Sequence, residues 1–334
     1  MEMLKIAFYE IENWEIDYLK KALKKHKLVF NKNKISLKNA VKDADVLAVF
    51  IYSKVDKAIL DAMPRLKLVT TMSTGFDHID LSECRKRGVK VCNVPTYGEN
   101  TVAEHTFALI LNISRRISDS LNKTKAGDFR LDGLRGFDLK GKTIGLVGCG
   151  NIGKHVARMA KGFEMNILVY DVKKDMKLAK KMGFKYSSLN NLFKNSDIIS
   201  LHVPENKFTK HMIDTKAFKQ MKKGVVLVNT ARGGIIDTNA LLKALNNKTV
   251  AYAGLDVLEG ECYIKEEKEL LNPNFSKICD LKTVLQNNIL LRKPNVYITP
   301  HNAFNSREAL LRILDTTIDN VIGFSKKKYV NIVK

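Results

Sequence analysis

The sequence predicts a doubly wound α/β protein, and three observations carry that prediction. Short apolar runs rich in valine and isoleucine recur along the chain, most of them followed by a stretch with helical spacing. The runs are almost continuously apolar, as strands covered on both faces of a parallel sheet must be. One of them leads into a glycine-rich turn and then a helix-compatible segment. The 334 residues suggest about two domains of roughly 100–200 residues each.

The first series of runs covers 5–9, 46–51, 66–72 and 89–94. Pro95-Thr96-Tyr97-Gly98 interrupts it. Residues 101–117 are then apolar at helical spacing, through Val102, Ala103, Phe107, Ile110 and Leu111. Residues 118–140 are polar, with glycines at 127, 133 and 136, and read as an extended arm. A second series occupies 143–147, 166–170, 197–203, 225–229, 251–257 and 296–299. The tail at 308–324 is amphipathic, with Ala309, Leu310, Ile313, Leu314, Ile318 and Val321 on one face. Two series of strand–helix alternation predict two doubly wound parallel-sheet domains.

Composition narrows the function. No apolar run reaches the roughly 18 residues that cross a bilayer. Glu2 and Glu10 flank the first apolar stretch and no small-residue cleavage site follows, so a soluble cytoplasmic chain is expected. The five cysteines, Cys84, Cys92, Cys149, Cys262 and Cys279, form no CxxC pair. Neither structural zinc nor a disulfide framework is expected. No HExxH occurs, and no metal is expected. Cys262 lies beside a residue singled out below and reads as a bystander thiol. The net charge of +22 raises nucleic acid as a partner. The lysines are spread in short pairs, and no aromatic RNA-binding signature accompanies them. A solvated surface that attracts anionic substrates is the simpler reading.

The sequence Thr143-Ile-Gly-Leu-Val-Gly-Cys-Gly-Asn-Ile-Gly153 is the most informative stretch. Gly148 suits the tight turn, Gly150 the backbone approach to a pyrophosphate, and Gly153 the close packing of helix on strand. The helix start offers N–H groups to phosphate. The next strand ends in Tyr170-Asp171. Asp171 is placed to accept from adenosine ribose hydroxyls and to repel a 2′-phosphate, which favours NAD over NADP. Lys173 and Lys174 pull the other way, and a turn-capping carboxylate is the alternative reading of Asp171.

In an open α/β sheet the chemistry lies past the C-terminal strand ends. Three ends carry unusual residues: Thr230-Ala231-Arg232-Gly233-Gly234, Asp256-Val257-Leu258-Glu259-Gly260-Glu261, and Pro300-His301-Asn302-Ala303-Phe304. These types suit 2-keto acid reduction. Arg232 can fork onto the substrate carboxylate and carbonyl. A histidine can protonate the developing alkoxide near neutral pH. A carboxylate on the far ring nitrogen would fix its tautomer and favour imidazolium. Among seven histidines, His301 leads and His202, also at a strand end, is the rival. His78 and His105 read as structural.

At this point the chain resembles the D-isomer-specific 2-hydroxyacid dehydrogenases, most closely their D-lactate dehydrogenase-like branch. The resemblance spans nearly the whole length. It rests on Ser73-Thr-Gly-Phe-Asp-His-Ile-Asp80, Asn93-Val-Pro-Thr-Tyr-Gly-Glu-Asn-Thr-Val-Ala-Glu104, the glycine motif, His202-Val-Pro204, Asn229-Thr-Ala-Arg-Gly-Gly234, Gly254-Leu-Asp-Val-Leu-Glu-Gly-Glu261 and Thr299-Pro-His-Asn-Ala-Phe304. It implies that Arg232 binds substrate, that His301 is the proton donor and that Glu261 is its partner carboxylate, with Glu259 the competing candidate. It implies that Asp256 sits near the nicotinamide, and that Asn151, Ile152, Val203, Pro204, Thr209, Thr230 and Ala231 line the cofactor. Thr74 and Gly75 resemble the loop whose N–H groups hold the substrate carboxylate, and Tyr97 and Phe304 match pocket positions.

The resemblance also implies a Rossmann cofactor domain at 100–301 and a discontinuous, flavodoxin-like substrate domain at 1–99 and 302–334, with a cleft between. It implies a homodimer, for which 118–140 would be the arm. The expected activity is reversible NADH-dependent reduction of pyruvate or a similar short 2-keto acid to the D-hydroxy acid. The same-fold alternative is a hydroxypyruvate, glyoxylate or branched 2-keto acid reductase. Tyr97, Phe304 and the long 261–294 stretch favour the lactate-like branch. An NAD-sensing corepressor-like binding protein is the alternative of another class.

Overall fold

The structure is a computed structural model that describes residues 2–260 and 280–333. The chain divides into two compact units, Met1–Tyr97 with Ser306–Lys334, and Gly98–Asn305.

The first unit is built on five parallel strands in the order β2-β1-β3-β4-β5. They are β1 (Lys5–Tyr9), β2 (Lys27–Asn31), β3 (Val46–Val49), β4 (Leu68–Thr71) and β5 (Lys90–Cys92). Helices α1 (Asn13–Ala22), α2 (Lys57–Ala62) and α3 (Leu81–Lys86) connect them. Ile6, Phe8, Val46, Leu47, Leu68 and Val69 are completely buried. Each such side chain contributes roughly 1.5–3 kcal/mol relative to exposure. The C-terminal helix Arg307–Ser325 closes this unit. Its buried Asn320 donates to the Thr70 hydroxyl at 3.2 Å and the Asn93 carbonyl at 3.0 Å, which pins the chain end to the tips of β4 and β5.

The second unit carries seven parallel strands in the order β12-β11-β10-β9-β6-β7-β8. These are β6 (Thr143–Val147), β7 (Asn166–Tyr170), β8 (Lys185–Tyr186), β9 (Ile198–Leu201), β10 (Val225–Asn229), β11 (Val250–Leu255) and β12 (Val296–Ile298). The helices are α4 (Glu99–Arg115), α5 (Ile117–Lys125), α6 (Gly153–Gly162), α7 (Met176–Met182), α8 (Leu189–Asn195), α9 (Thr215–Gln220), α10 (Thr238–Asn246) and α11 (Leu281–Leu291). The order reverses between β6 and β9, so their C-terminal ends flank a crevice at the switch point. β9 and β10 are buried at every position, as the unbroken apolar runs require.

Two details differ from the sequence-based expectation. The apolar runs do not include the edge strands β2 and β8, which pair only with β1 and β7 and are buried at no position. A strand with one open edge needs no run covered on both faces. The 118–140 segment is not extended throughout, because its first third is α5. Arg116 breaks the helical path at φ 54°, and the Asn112 carboxamide oxygen then accepts from the Ser118 N–H at 2.8 Å to start the new helix. Among the described residues no helix is long and apolar enough to cross a membrane.

Candidate active site

The turn after β6 is shaped by its glycines. Gly148 has φ +98°, and a Cβ there would lie 2.6 Å from the His202 carbonyl oxygen. A Cβ on Gly153 would overlap the Gly148 carbonyl. A Cβ on Gly150 would meet no described atom beyond its chain neighbours within 4 Å, so a ligand can approach its backbone. α6 begins at Gly153 with Val156, Ala157 and Ala160 fully buried beneath it, no side-chain cap and no acidic residue in its first turn. The Lys154 and His155 N–H groups donate to the Gly150 and Ile152 carbonyls, and the helix presents its positive dipole end to an anion. These features fit a dinucleotide pyrophosphate.

Asp171 stands at the tip of β7. One carboxylate oxygen accepts from the Cys149 N–H at 2.7 Å and the other from the Lys173 N–H at 2.9 Å. The carboxylate therefore holds the glycine turn and the following turn together, and its remaining lone pairs suit ribose hydroxyls. Replacing Asp171 by alanine is expected to narrow the preference for NADH over NADPH at least several-fold, read as the ratio of kcat/KM for the two cofactors. A wild-type preference for NADPH would overturn the reading. Burial, reinforced by Asp171 and Asp175, raises the Cys149 thiol to about 11. It stays protonated and inert near neutral pH.

His202 lies on the other side of the crevice. Its Nε2 contacts the Ser200 hydroxyl at 2.8 Å, and its buried Nδ1 has no partner among the described residues. Burial pushes its pKa down to about 3. A ring held neutral cannot serve as the proton donor. The folded-state value lies below the unfolded one of about 6.5. The stabilisation is therefore complete above that pH and is lost as the pH falls toward 3, at about 1.4 kcal/mol per pH unit. We expect the His202 ring signals to stay neutral from pH 5 to 8 by NMR. Titration in that window would contradict the burial argument.

Arg232 follows β10 in a loop fixed from below by the fully buried Asn229. The Asn229 carboxamide donates to the Arg232 carbonyl at 2.9 Å and accepts from the Ala231 N–H at 3.0 Å. Thr230 and Ala231 are buried there, and Arg232 is exposed. One guanidinium nitrogen donates to the Ala231 carbonyl at 2.7 Å.

Asp256, at the tip of β11, is 1% exposed. Its Oδ1 accepts from the Thr299 hydroxyl at 2.5 Å and the Asn302 N–H at 3.0 Å, and its Oδ2 from the Ala303 N–H at 2.9 Å. Burial alone would raise this carboxyl, but the His105, Thr299, Ala303 and Asn302 donors outweigh it and hold it below the usual range. Asp256 thus grips the loop that carries His301. His301 itself adopts φ 52°, and its N–H donates to the Thr299 carbonyl at 2.9 Å.

Arg232 and His301 line one pocket of about 550 Å³ with Glu205, Lys210, Gly233, Gly234, Leu258 and Glu259. Glu205 and Lys210 are absent from the sequence-derived candidates. The signal was available, because Glu205 directly follows Val203-Pro204 at the end of β9. Val203 is half-buried and Pro204 exposed there, while the buried Thr209 hydroxyl donates to the Pro204 carbonyl at 2.6 Å. Asn151 is exposed and Ile152 half-buried at the α6 start. Glu259 is engaged elsewhere: it pairs with His211 and accepts from the Thr238 N–H and hydroxyl at 3.1 and 2.7 Å. Glu261 and Cys262 lie outside the described residues. Phe304 belongs to the same unit as His301, with its Cβ 3.8 Å from the position of a Cβ on Gly98.

Thr74, Gly75 and Tyr97 belong to the first unit. The Thr74 hydroxyl donates to the Val94 carbonyl at 2.8 Å, the Asn93 carboxamide to the Thr74 carbonyl at 2.9 Å, and the Ser73 hydroxyl to the Gly75 carbonyl at 2.6 Å. The Thr74 and Gly75 N–H groups donate to no acceptor among the described residues. A loop pinned by its carbonyls with its N–H groups open is suited to a carboxylate. The Tyr97 carbonyl accepts from the Arg312 guanidinium at 2.6 Å.

Among the described residues no cluster of three histidine, cysteine or acidic side chains could hold a metal. Residues 107–303 match the NAD-binding domain of the D-isomer-specific 2-hydroxyacid dehydrogenases. The chain is 36% identical to a glyoxylate reductase of Thermococcus litoralis, over 96% of this chain and 88% of that protein. A D-lactate dehydrogenase of Aquifex aeolicus, solved with NAD and lactic acid, superposes with a TM-score of 0.82 at 38% identity, over 97% of this chain and 96% of that one. The pyruvate reductase of Chlamydomonas reinhardtii gives 0.88 at 33% identity, over 98% and 97%.

Proposed function

The chain belongs to the D-isomer-specific 2-hydroxyacid dehydrogenases and has their NAD-binding domain, and we propose that it reversibly reduces pyruvate, or a 2-keto acid of similar size, to the D-2-hydroxy acid. The observation that carries this reading is the shared pocket of Arg232 and His301. NAD, when bound, supplies or takes the hydride. Gly148, Gly150, Asn151, Ile152 and Gly153 hold its pyrophosphate, Asp171 its adenosine ribose, and Val203, Pro204, Thr209, Thr230 and Ala231 line its path. Arg232 binds the substrate carboxylate and orients the carbonyl. His301 donates a proton to the carbonyl oxygen on reduction and takes it back on oxidation. In the same proposal Glu261 is assigned as the partner carboxylate of His301, and Thr74, Gly75, Tyr97 and Phe304 are assigned to substrate binding.

A second reading, a glyoxylate reductase, is favoured by the relative of that name. Steady-state rates with pyruvate, glyoxylate, hydroxypyruvate and a branched 2-keto acid separate the two. We expect pyruvate to have the highest kcat/KM. A tenfold preference for glyoxylate or hydroxypyruvate would replace the substrate assignment, since one small group in a pocket is worth about that much. Absence of turnover with every 2-keto acid, despite tight NADH binding, would favour an NAD-sensing binding protein instead.

A homodimer is part of this proposal. Support comes from the apolar side chains along the 117–131 stretch: Leu121 is 53% exposed, Phe129 78% and Leu131 82%. Apolar area of this kind marks an association surface. A cytoplasmic setting is supported by the free thiols Cys84, Cys92 and Cys149.

A further inference from the structure

We propose that His105 and Thr106, consecutive on α4, are positioning residues that hold the His301 loop and the Arg232 loop in register with each other. This rests on the roles given above to His301 and Arg232. Successive residues on a helix point about 100° apart, so one rigid turn reaches two strand tips. The His105 Nε2 lies 3.0 Å from the Thr299 hydroxyl and 3.4 Å from Asp256 Oδ1. The Thr106 hydroxyl lies 2.8 Å from the Thr230 hydroxyl. α4 is itself anchored, with Ala103, Phe107, Leu109 and Ile110 buried, and Leu109 and Ile113 lie against Gly254 of β11.

The acceptor-only Asp256 carboxylate fixes the direction of the first link. Thr299 donates its single hydroxyl proton to Asp256, so it can only accept from His105, whose Nε2 must carry a proton. The Thr106 hydroxyl has one proton for two acceptors at 2.8 Å, the Val102 carbonyl and the Thr230 hydroxyl, so its link to Thr230 holds in either direction. The first chain runs from His105 through Thr299 to Asp256, which holds the Asn302 and Ala303 N–H groups, the two that directly follow His301. The second ties Thr230, two residues before Arg232, to the same turn of α4.

The test is the imidazole 1H–15N correlation spectrum of the full-length protein without ligand, together with kinetics. The wild-type His105 ring should show the pattern of a protonated Nε2. His105→Ala should move the His301 ring signals and lower kcat roughly ten- to hundredfold, the cost of about 1 Å of misplacement, with the NADH dissociation constant changed less than about threefold. His105→Gln, which keeps a donor near the Nε2 position, should restore most of the rate. Thr106→Val should lower kcat while Thr106→Ser should not. An Nδ1-protonated His105 would overturn the proposal whether or not the alanine variant folds. So would unchanged His301 signals in His105→Ala, or a glutamine variant no better than alanine. If the wild type reduced no 2-keto acid, the functional reading would fall, while the spectra would still decide the positioning role.

Discussion

His301→Gln is expected to lower kcat for 2-keto acid reduction by roughly 10²–10⁴, about 3–5 kcal/mol of transition-state stabilisation, and to leave NADH affinity within a few-fold. Glutamine can place an N–H near the same oxygen. A neutral amide does not release a proton near pH 7, so the developing alkoxide would have to take its proton from water. No described neighbour can substitute. His202 is held neutral by burial, and Glu259 is committed to His211 and Thr238. The loop should survive the change, because its geometry is set by the main-chain bonds to Asp256 at Asn302 and Ala303. Single-turnover reduction of pyruvate, with NADH binding followed by fluorescence, measures both quantities. Turnover within tenfold of wild type would remove His301 from the chemistry.

How much of this was legible in the sequence depends on the distance between cause and effect. The turn after β6 was legible because its demands are local: a positive φ at Gly148 and a close approach at Gly153 both exclude side chains. β6, β9 and β10 were legible because sheets covered on both faces need unbroken apolar runs. β2 was not, since an edge strand can alternate or be mixed without cost. Asp171 was legible as a strand-end carboxylate, but its grip on the Cys149 N–H depends on how two turns meet in space. The hydrogen bond from His105 to Thr299 joins residues 194 positions apart. No spacing rule reaches that far, and His105 reads from sequence as an ordinary helix histidine. The left-handed backbone at His301 was equally silent, because Thr-Pro-His-Asn permits several turns.

Arg232 carries the second large expectation, and here the chemistry of the side chain separates two variants. A guanidinium forks onto a carboxylate through two charge-assisted bonds, each worth about 1.5–3 kcal/mol. Removing both costs about 3–6 kcal/mol, so Arg232→Leu should reduce kcat/KM by roughly 10²–10⁴. Arg232→Lys keeps the charge but loses the planar fork and the bond to the Ala231 carbonyl that sets its orientation. A rise in KM of roughly tenfold or more is expected, accompanied by a smaller fall in kcat, because a point charge binds the carboxylate without aligning the carbonyl. The loop itself should hold in both variants, since Asn229 bonds the Arg232 carbonyl and the Ala231 N–H rather than the side chain. Adding guanidinium salt to the leucine variant should recover part of the rate, as the missing fork is supplied from solution. A lysine variant with wild-type KM would mean that the carboxylate is held elsewhere, and the open N–H groups of Thr74 and Gly75 would then be the first place to look.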